Sequence, residues 1–373
     1  MSQIGVSGKA FELSQLESGI GQLFMTGIPG TQVDEGTEAL IRECNLGGVI
    51  LFARNIDNPF QLAQLCQGLQ KTALSCHRAP LFLAVDQEGG RVARLREPFT
   101  TFPGNSAIGS DEQPVKRAAE FGLITAREMG LVGLNMNMAP VVDVAMGELE
   151  RHLAGRSFGE DPKEVALLGS AVVKSLQENG VMAVAKHFPG LGRATVDPHF
   201  HLPVIEVARE EMEEIHLAPF RAVIEEGVSA IMTSHAMYPG LDPDRPATLS
   251  PLILTGLLRE RMGFDGLLIT DDLEMGAIAE ERPVVEGAVM AFSAGADILL
   301  ICKDQNNVSE SIRFMRSELA RGGVRPESLA RSLERIKRAK SKFLLQGEKV
   351  SLDRVEDYFK RITARADSTG HST

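Results

Sequence analysis

Short, unbroken apolar runs alternate along this chain with longer stretches in which apolar positions recur every three or four residues. The first pattern is that of strands buried on both faces, the second that of amphipathic helices. Eight runs qualify as strands, at 22–27, 48–52, 81–86, 134–139, 181–187, 230–235, 266–271 and 297–302. Helical spacing covers 60–74, 115–129, 163–179, 217–226, 252–262 and 283–294 between them. Strands separated by helices predict a parallel α/β sheet, and eight of them close most economically as a single (β/α)8 barrel rather than as an open doubly wound sheet. A last stripe over 326–345, with Leu329, Leu333, Ile336 and Phe343 among Arg and Lys, predicts a C-terminal closing helix. Beyond it, 346–373 is polar and predicts a partly ordered tail. No repeat and no Ser/Gly-rich linker divides the chain, so 1–345 reads as one domain.

Composition narrows the function classes. A content of 43% hydrophobic and 24% charged residues supplies a sizeable core under a soluble surface. The net charge of −11 is not offset by any basic block, which argues against nucleic acid or an anionic membrane as partner. Residues 1–10 lack a basic segment followed by an apolar core, and no run reaches the length of a membrane span, so a cytoplasmic location is expected. Cys44, Cys66, Cys76 and Cys302 lack metal-binding or CxxC spacing and read as reduced thiols.

Chemistry concentrates where the predicted strands end. The third ends in Asp86-Gln87-Glu88-Gly89-Gly90-Arg91-Val92-Ala93-Arg94, where paired glycines permit a tight turn that throws a carboxylate and two guanidiniums toward one place. The fifth ends in Lys186-His187, the sixth in Thr233-Ser234-His235 and the seventh in Thr270-Asp271-Asp272. After Lys186-His187 comes a Pro/Gly-broken loop carrying Asp197-Pro198-His199, in which a carboxylate can orient an imidazole and stabilise its protonated form. In a barrel of this type all of these ends face one side.

The motifs HExxH, GxxxxGK[ST], GxSxG and a GxGxxG after the first strand are missing, and His199/His201 is the one close histidine pair. Neither a metal nor a cofactor is expected. Glycoside transfer fits the residues present: one carboxylate attacks the sugar, a proton donor serves the leaving group, and charged donors hold the hydroxyls. With no Trp and only Tyr238 and Tyr358, the chain lacks the usual platform for stacking a long polysaccharide, so a small carbohydrate bound by polar contacts is the expected partner.

From about residue 20 to 345 the chain resembles the bacterial β-N-acetylglucosaminidases of glycoside hydrolase family 3. The pieces that carry the resemblance are Asp86-Gln87-Glu88-Gly89-Gly90-Arg91-Val92, Ala139-Pro140-Val141-Val142-Asp143-Val144, Arg156-Ser157-Phe158-Gly159, Lys186-His187-Phe188-Pro189-Gly190, Asp197-Pro198-His199, Pro246-Ala247-Thr248-Leu249-Ser250 and Ile269-Thr270-Asp271-Asp272-Leu273-Glu274-Met275. It implies a retaining exo-β-N-acetylglucosaminidase acting on cell-wall muropeptides, N-acetylglucosaminyl-1,6-anhydro-N-acetylmuramic acid among them. Asp271 is implied as nucleophile and His199, paired with Asp197, as general acid/base. Asp86, Arg94, Arg156, Lys186 and His187 are implied to hold the terminal N-acetylglucosamine.

Strand alternation puts Asp271 and Asp272 on opposite faces without deciding between them; the resemblance favours Asp271 and leaves Asp272 a capping or salt-bridged role. The family usually has His, an acidic residue and Ser where this chain has Leu191, Arg193 and Pro198, and the segment 151–155 departs from its common form. Two alternatives stand beside the hydrolase. One is a phosphorylase, because a neutral His does not repel an incoming phosphate; the other is a catalytically silent sugar-binding barrel.

Overall fold

The computed structural model describes residues 14–147, 153–344 and 350–369. Eight parallel strands follow one another around a barrel: β1 Phe24–Gly27, β2 Gly48–Leu51, β3 Phe82–Val85, β4 Met136–Asn137, β5 Met182–Phe188, β6 Ala230–Thr233, β7 Leu267–Ile269 and β8 Leu299–Ile301. β8 pairs with β1 in the register Phe24 to Leu299, and a bridge between Ile269 and Ile298 closes the remaining seam. Seven of the eight lie within the runs expected from the sequence, and β5 extends one residue further, to Phe188. All eight are fully buried because side chains fill the interior and helices cover the outside.

Crossover helices occupy the predicted stretches, among them Pro59–His77, Pro114–Val132 and Pro162–Glu178. Two of these begin at a capped Asx residue followed by proline: Asn58 accepts from the Gln61 N–H and Asp161 from the Lys163 N–H, satisfying donors that the first turn leaves unpaired. Asp34 and Asp304 cap two further helices, Glu35–Cys44 and Gln305–Arg321. The stripe of the helix Pro326–Phe343 buries Leu329, Ile336 and Phe343 over the barrel floor, as the sequence leads one to expect.

Two polar knots fasten that helix. Asp297, fully buried before β8, accepts from Ser332 Oγ (2.7 Å), Arg335 Nη1 (3.3 Å), Arg259 Nη2 (2.5 Å) and the Leu268 N–H (3.0 Å). Lys340 Nζ reaches the Gly47 carbonyl at 2.9 Å and Gln22 Oε1 at 2.7 Å, and lies 4.8 Å from the centre of the Phe82 ring.

Part of the region read from the sequence as a polar, partly ordered tail forms regular structure. Leu352–Thr369 is a helix that buries Val355 and Phe359. The Phe359 ring meets Phe99 edge-on at 4.7 Å, and Tyr358 Oη donates to Glu128 Oε1 at 3.3 Å. Its few apolar side chains are spaced to make one narrow contact stripe, which a polar average conceals. No helix among the described residues is long and apolar enough to cross a membrane.

Candidate active site

Asp86 leaves β3 into a two-stranded ribbon, Gln87–Gly89 paired with Val92–Ala93. Gly89 and Gly90 turn it with φ of 86° and 56°, a conformation that side chains with a Cβ resist. Asn137 at the end of β4 clamps the ribbon by accepting from the Gln87 N–H and donating to the Gln87 carbonyl, each at 3.0 Å. The Gln87 amide does the same to Leu95 at 2.9 and 3.0 Å. Backbone and side-chain amides thus fix where Asp86, Glu88 and Arg94 point.

On β5 the ladder to β6 slips between Ala185 and Phe188, and this irregularity accompanies the delivery of two consecutive polar side chains, Lys186 and His187, to the site. Lys186 Nζ bridges Asp86 Oδ1 at 2.8 Å and Glu88 Oε1 at 2.7 Å. Arg94 Nη2 stands 3.5 Å from Asp86 Oδ2. Arg156 grips Glu88 with two parallel bonds of 2.8 Å, and its Nη2 is 3.5 Å from His187 Nε2. The structure therefore brings the five predicted sugar-pocket residues, Asp86, Arg94, Arg156, Lys186 and His187, into one network.

Two members of this network were not singled out from the sequence. Glu88 is almost fully buried and links Lys186 to Arg156; burial alone would raise its pKa, but these two cations outweigh burial and lower it. Asp143, in the loop after β4, accepts His187 Nδ1 at 2.7 Å and the N–H groups of His187 (3.2 Å) and Leu191 (2.7 Å). Burial opposes its charge as well, and His187 together with these bonds lowers its pKa. The signals for them in the sequence are the position of Glu88 two residues beyond Asp86 and the place of Asp143 in the run Ala139-Pro140-Val141-Val142-Asp143-Val144.

Asp271 follows β7. It accepts one hydrogen bond, 2.8 Å from the Asp272 N–H, and no ion pair holds it among the described residues. Burial would raise its pKa, yet His235, His187 and His199 around it lower it. Asp272 points elsewhere: its Oδ1 accepts the Glu274 N–H at 3.1 Å and the Cys302 N–H at 3.2 Å, and burial pushes its carboxyl up to about 6. His235 is buried with Nδ1 2.7 Å from Thr248 Oγ1 and Nε2 3.0 Å from the Asp272 carbonyl, and burial lowers its pKa.

The loop after β5 carries Asp197 and His199 as a couple, with His199 Nδ1 2.6 Å from Asp197 Oδ1 and the His199 N–H 2.9 Å from the same oxygen. The His199 side chain is 58% exposed, in contrast to the buried His187. Of the unusual loop residues, Leu191 is buried and Arg193 pairs with Glu211 at 2.6 Å, so the added cation is neutralised at the root of the loop. The Pro198 carbonyl accepts the Ala277 N–H at 3.3 Å. Arg151 and His152, in the atypical segment before Arg156, lie outside the described residues. No group of three or more His, Cys, Asp or Glu among the described residues is arranged to hold a metal ion.

The model of the glycosyl hydrolase family 3 N terminal domain matches residues 15–339. Beta-hexosaminidase A of Pseudoalteromonas piscicida is 37% identical over 325 residues, 81% of this chain but 54% of that protein, so the chain spans about half the length of that relative. Beta-hexosaminidase of Methylobacillus flagellatus is 35% identical over 312 residues, 82% of this chain and 86% of the relative. Among solved structures, a glycoside hydrolase family 3 beta-N-acetylglucosaminidase from a Paenibacillus species is similar with a TM-score of 0.86 at 36% identity, covering 93% of this chain and 68% of that one. With the family model matched over most of the chain, a matching barrel and relatives of this identity, the chain belongs to glycoside hydrolase family 3.

Proposed function

We propose that the protein is a retaining exo-β-N-acetylglucosaminidase that removes terminal β-linked N-acetylglucosamine from soluble peptidoglycan fragments. The observation that carries this reading is the difference between Asp271 and its neighbours. Asp86, Glu88 and Asp143 are each engaged by a cation or imidazole, whereas Asp271 keeps its charge with a single backbone donor and is free to attack. The beta-hexosaminidase names of its relatives support the sugar class.

In the first step an Asp271 carboxylate oxygen bonds to the anomeric carbon while the bond from that carbon to the leaving oxygen breaks. His199 gives its proton to that oxygen. Asp197 accepts from Nδ1 and so leaves Nε2 to exchange the proton. In the second step His199 takes a proton from water, water attacks the same carbon and Asp271 departs, which restores the original configuration. Asp86, Arg94, Lys186, Arg156 and His187 hold the sugar hydroxyls and acyl group of the terminal residue.

The test combines labelling with products. An activated 5-fluoro-N-acetylglucosaminide should label Asp271, and N-acetylglucosaminyl-1,6-anhydro-N-acetylmuramic acid should yield free β-N-acetylglucosamine in phosphate-free and phosphate-containing buffer alike. Labelling elsewhere, inverted product, or a sugar 1-phosphate in the second buffer would each defeat the proposal.

A further inference from the structure

The loop bearing Asp197 and His199 rests on the segment that follows Asp271. Gly276 donates its N–H to the His199 carbonyl at 3.0 Å, and Ala277 donates to the Pro198 carbonyl at 3.3 Å. This approach requires that residue 276 carry no side chain. A Cβ built there would stand 2.6 Å from the Phe200 carbonyl oxygen, 2.9 Å from its carbon and 3.1 Å from the His199 oxygen. These are main-chain atoms, so no rotamer change relieves the contact and the two backbone segments must part.

The donor segment is in turn fixed to the nucleophile's end of the barrel. Met275 donates to the Asp272 carbonyl at 3.0 Å, Glu274 donates to Asp272 Oδ1, and the same oxygen takes the Cys302 N–H after β8. The two halves of the chemistry are therefore referenced to one stretch of backbone only a few residues long.

We infer that Gly276 is a positioning residue whose N–H and missing side chain seat the Asp197–His199 couple in register with Asp271. The inference rests on the roles proposed for Asp271 and His199. It goes beyond them by assigning control of proton transfer to a residue that touches neither substrate nor reacting atoms.

The experiment compares the full-length parent, Gly276→Ala and His199→Ala across aryl β-N-acetylglucosaminides of graded leaving-group acidity. Gly276→Ala should lose roughly ten- to hundredfold in kcat/KM on the poorest leaving groups and little on the best, because a lifted acid matters only where protonation is needed. Azide should accelerate its turnover of the best substrate. A uniform loss across the series, or none, overturns the inference. A flat series for His199→Ala while Asp271 still labels overturns the acid/base assignment and the inference with it. Amide exchange in the parent gives a check independent of any variant: the Gly276 N–H should be strongly protected, and exchange at the rate of an open loop overturns the inference.

Discussion

His187 Nδ1 lies 2.7 Å from Asp143 Oδ2, and the same carboxylate also takes the backbone N–H groups of His187 and Leu191 through its other oxygen. This fixes Nδ1 as the nitrogen turned away from the pocket and leaves Nε2 on the side of Arg156. Asp143→Asn keeps the shape but offers a donor where an acceptor is needed. We expect kcat/KM to fall roughly ten- to hundredfold and stability to fall by about 1–3 kcal/mol. Because the folded pKa of Asp143 is lowered, its contribution is present above about pH 4 and is lost as pH falls through the folded value. Denaturant melts from pH 7 down to pH 3 should show a shallower acid loss in the variant.

Glu88 joins Lys186 and Arg156 without facing bulk water. Glu88→Gln strips the shared counter-charge from two buried cations, and breaking such a pair from one side costs about 3–5 kcal/mol. Thermal melts should fall sharply, and the surviving folded enzyme should show a raised KM. An unchanged melting temperature would show that the three side chains are solvated.

Asp272→Asn should behave in the opposite way. With the folded carboxyl pushed up to about 6, the folded chain holds more protons than the unfolded between about pH 4 and 6, so stability declines as pH rises through that window. The amide keeps an oxygen for the Glu274 and Cys302 N–H groups and removes the buried charge. We expect a gain of about 1–2 kcal/mol at pH 7, with activity well above that of Asp271→Asn. Equal collapse of activity in both would refute the separation of roles.

Burial pushes the Lys340 amine down to about 7. An unfolded lysine titrates near about 10, so between these values the unfolded chain binds more protons and stability rises with pH; below about pH 7 both states are charged and the cost is constant. Lys340→Met removes the desolvation cost but also the donor to Gln22 Oε1 and the Gly47 carbonyl, so it should change stability at pH 7 by no more than about 1 kcal/mol while flattening the slope between pH 7 and 10. Urea midpoints at pH 6.5 and 9.5 would record both effects; a variant that retains the parent slope would place the titration elsewhere.

Much of the barrel is legible in the sequence because buried parallel strands need continuous apolar runs, and eight such runs recur here with helical stretches between them. The helices Glu35–Cys44 and Gln305–Arg321 escape notice because their polar faces dominate, although Val308, Ile312, Met315 and Leu319 make a stripe in the second. The site divides along similar lines. Asp86 and Lys186 stand at strand ends, where position alone suggests a role. Asp143 matters through a partner 44 residues away, and that pairing depends on how the loop after β4 folds over β5.

The charges of the proposed sugar pocket largely balance before any sugar arrives, with the Asp271 carboxylate beside them held by no ion pair among the described residues. Asp86, Glu88 and Asp143 stand against Arg94, Lys186 and Arg156, mostly within direct contact and largely out of water. A neutral glycoside entering such a pocket displaces water rather than mobile counterions, and it is recognised by the directions of hydroxyl groups rather than by long-range attraction. Screening acts on charges separated by solvent over about 8 Å, not on pairs already in contact. Binding of an uncharged N-acetylglucosaminide should therefore be nearly indifferent to the ionic strength around the enzyme.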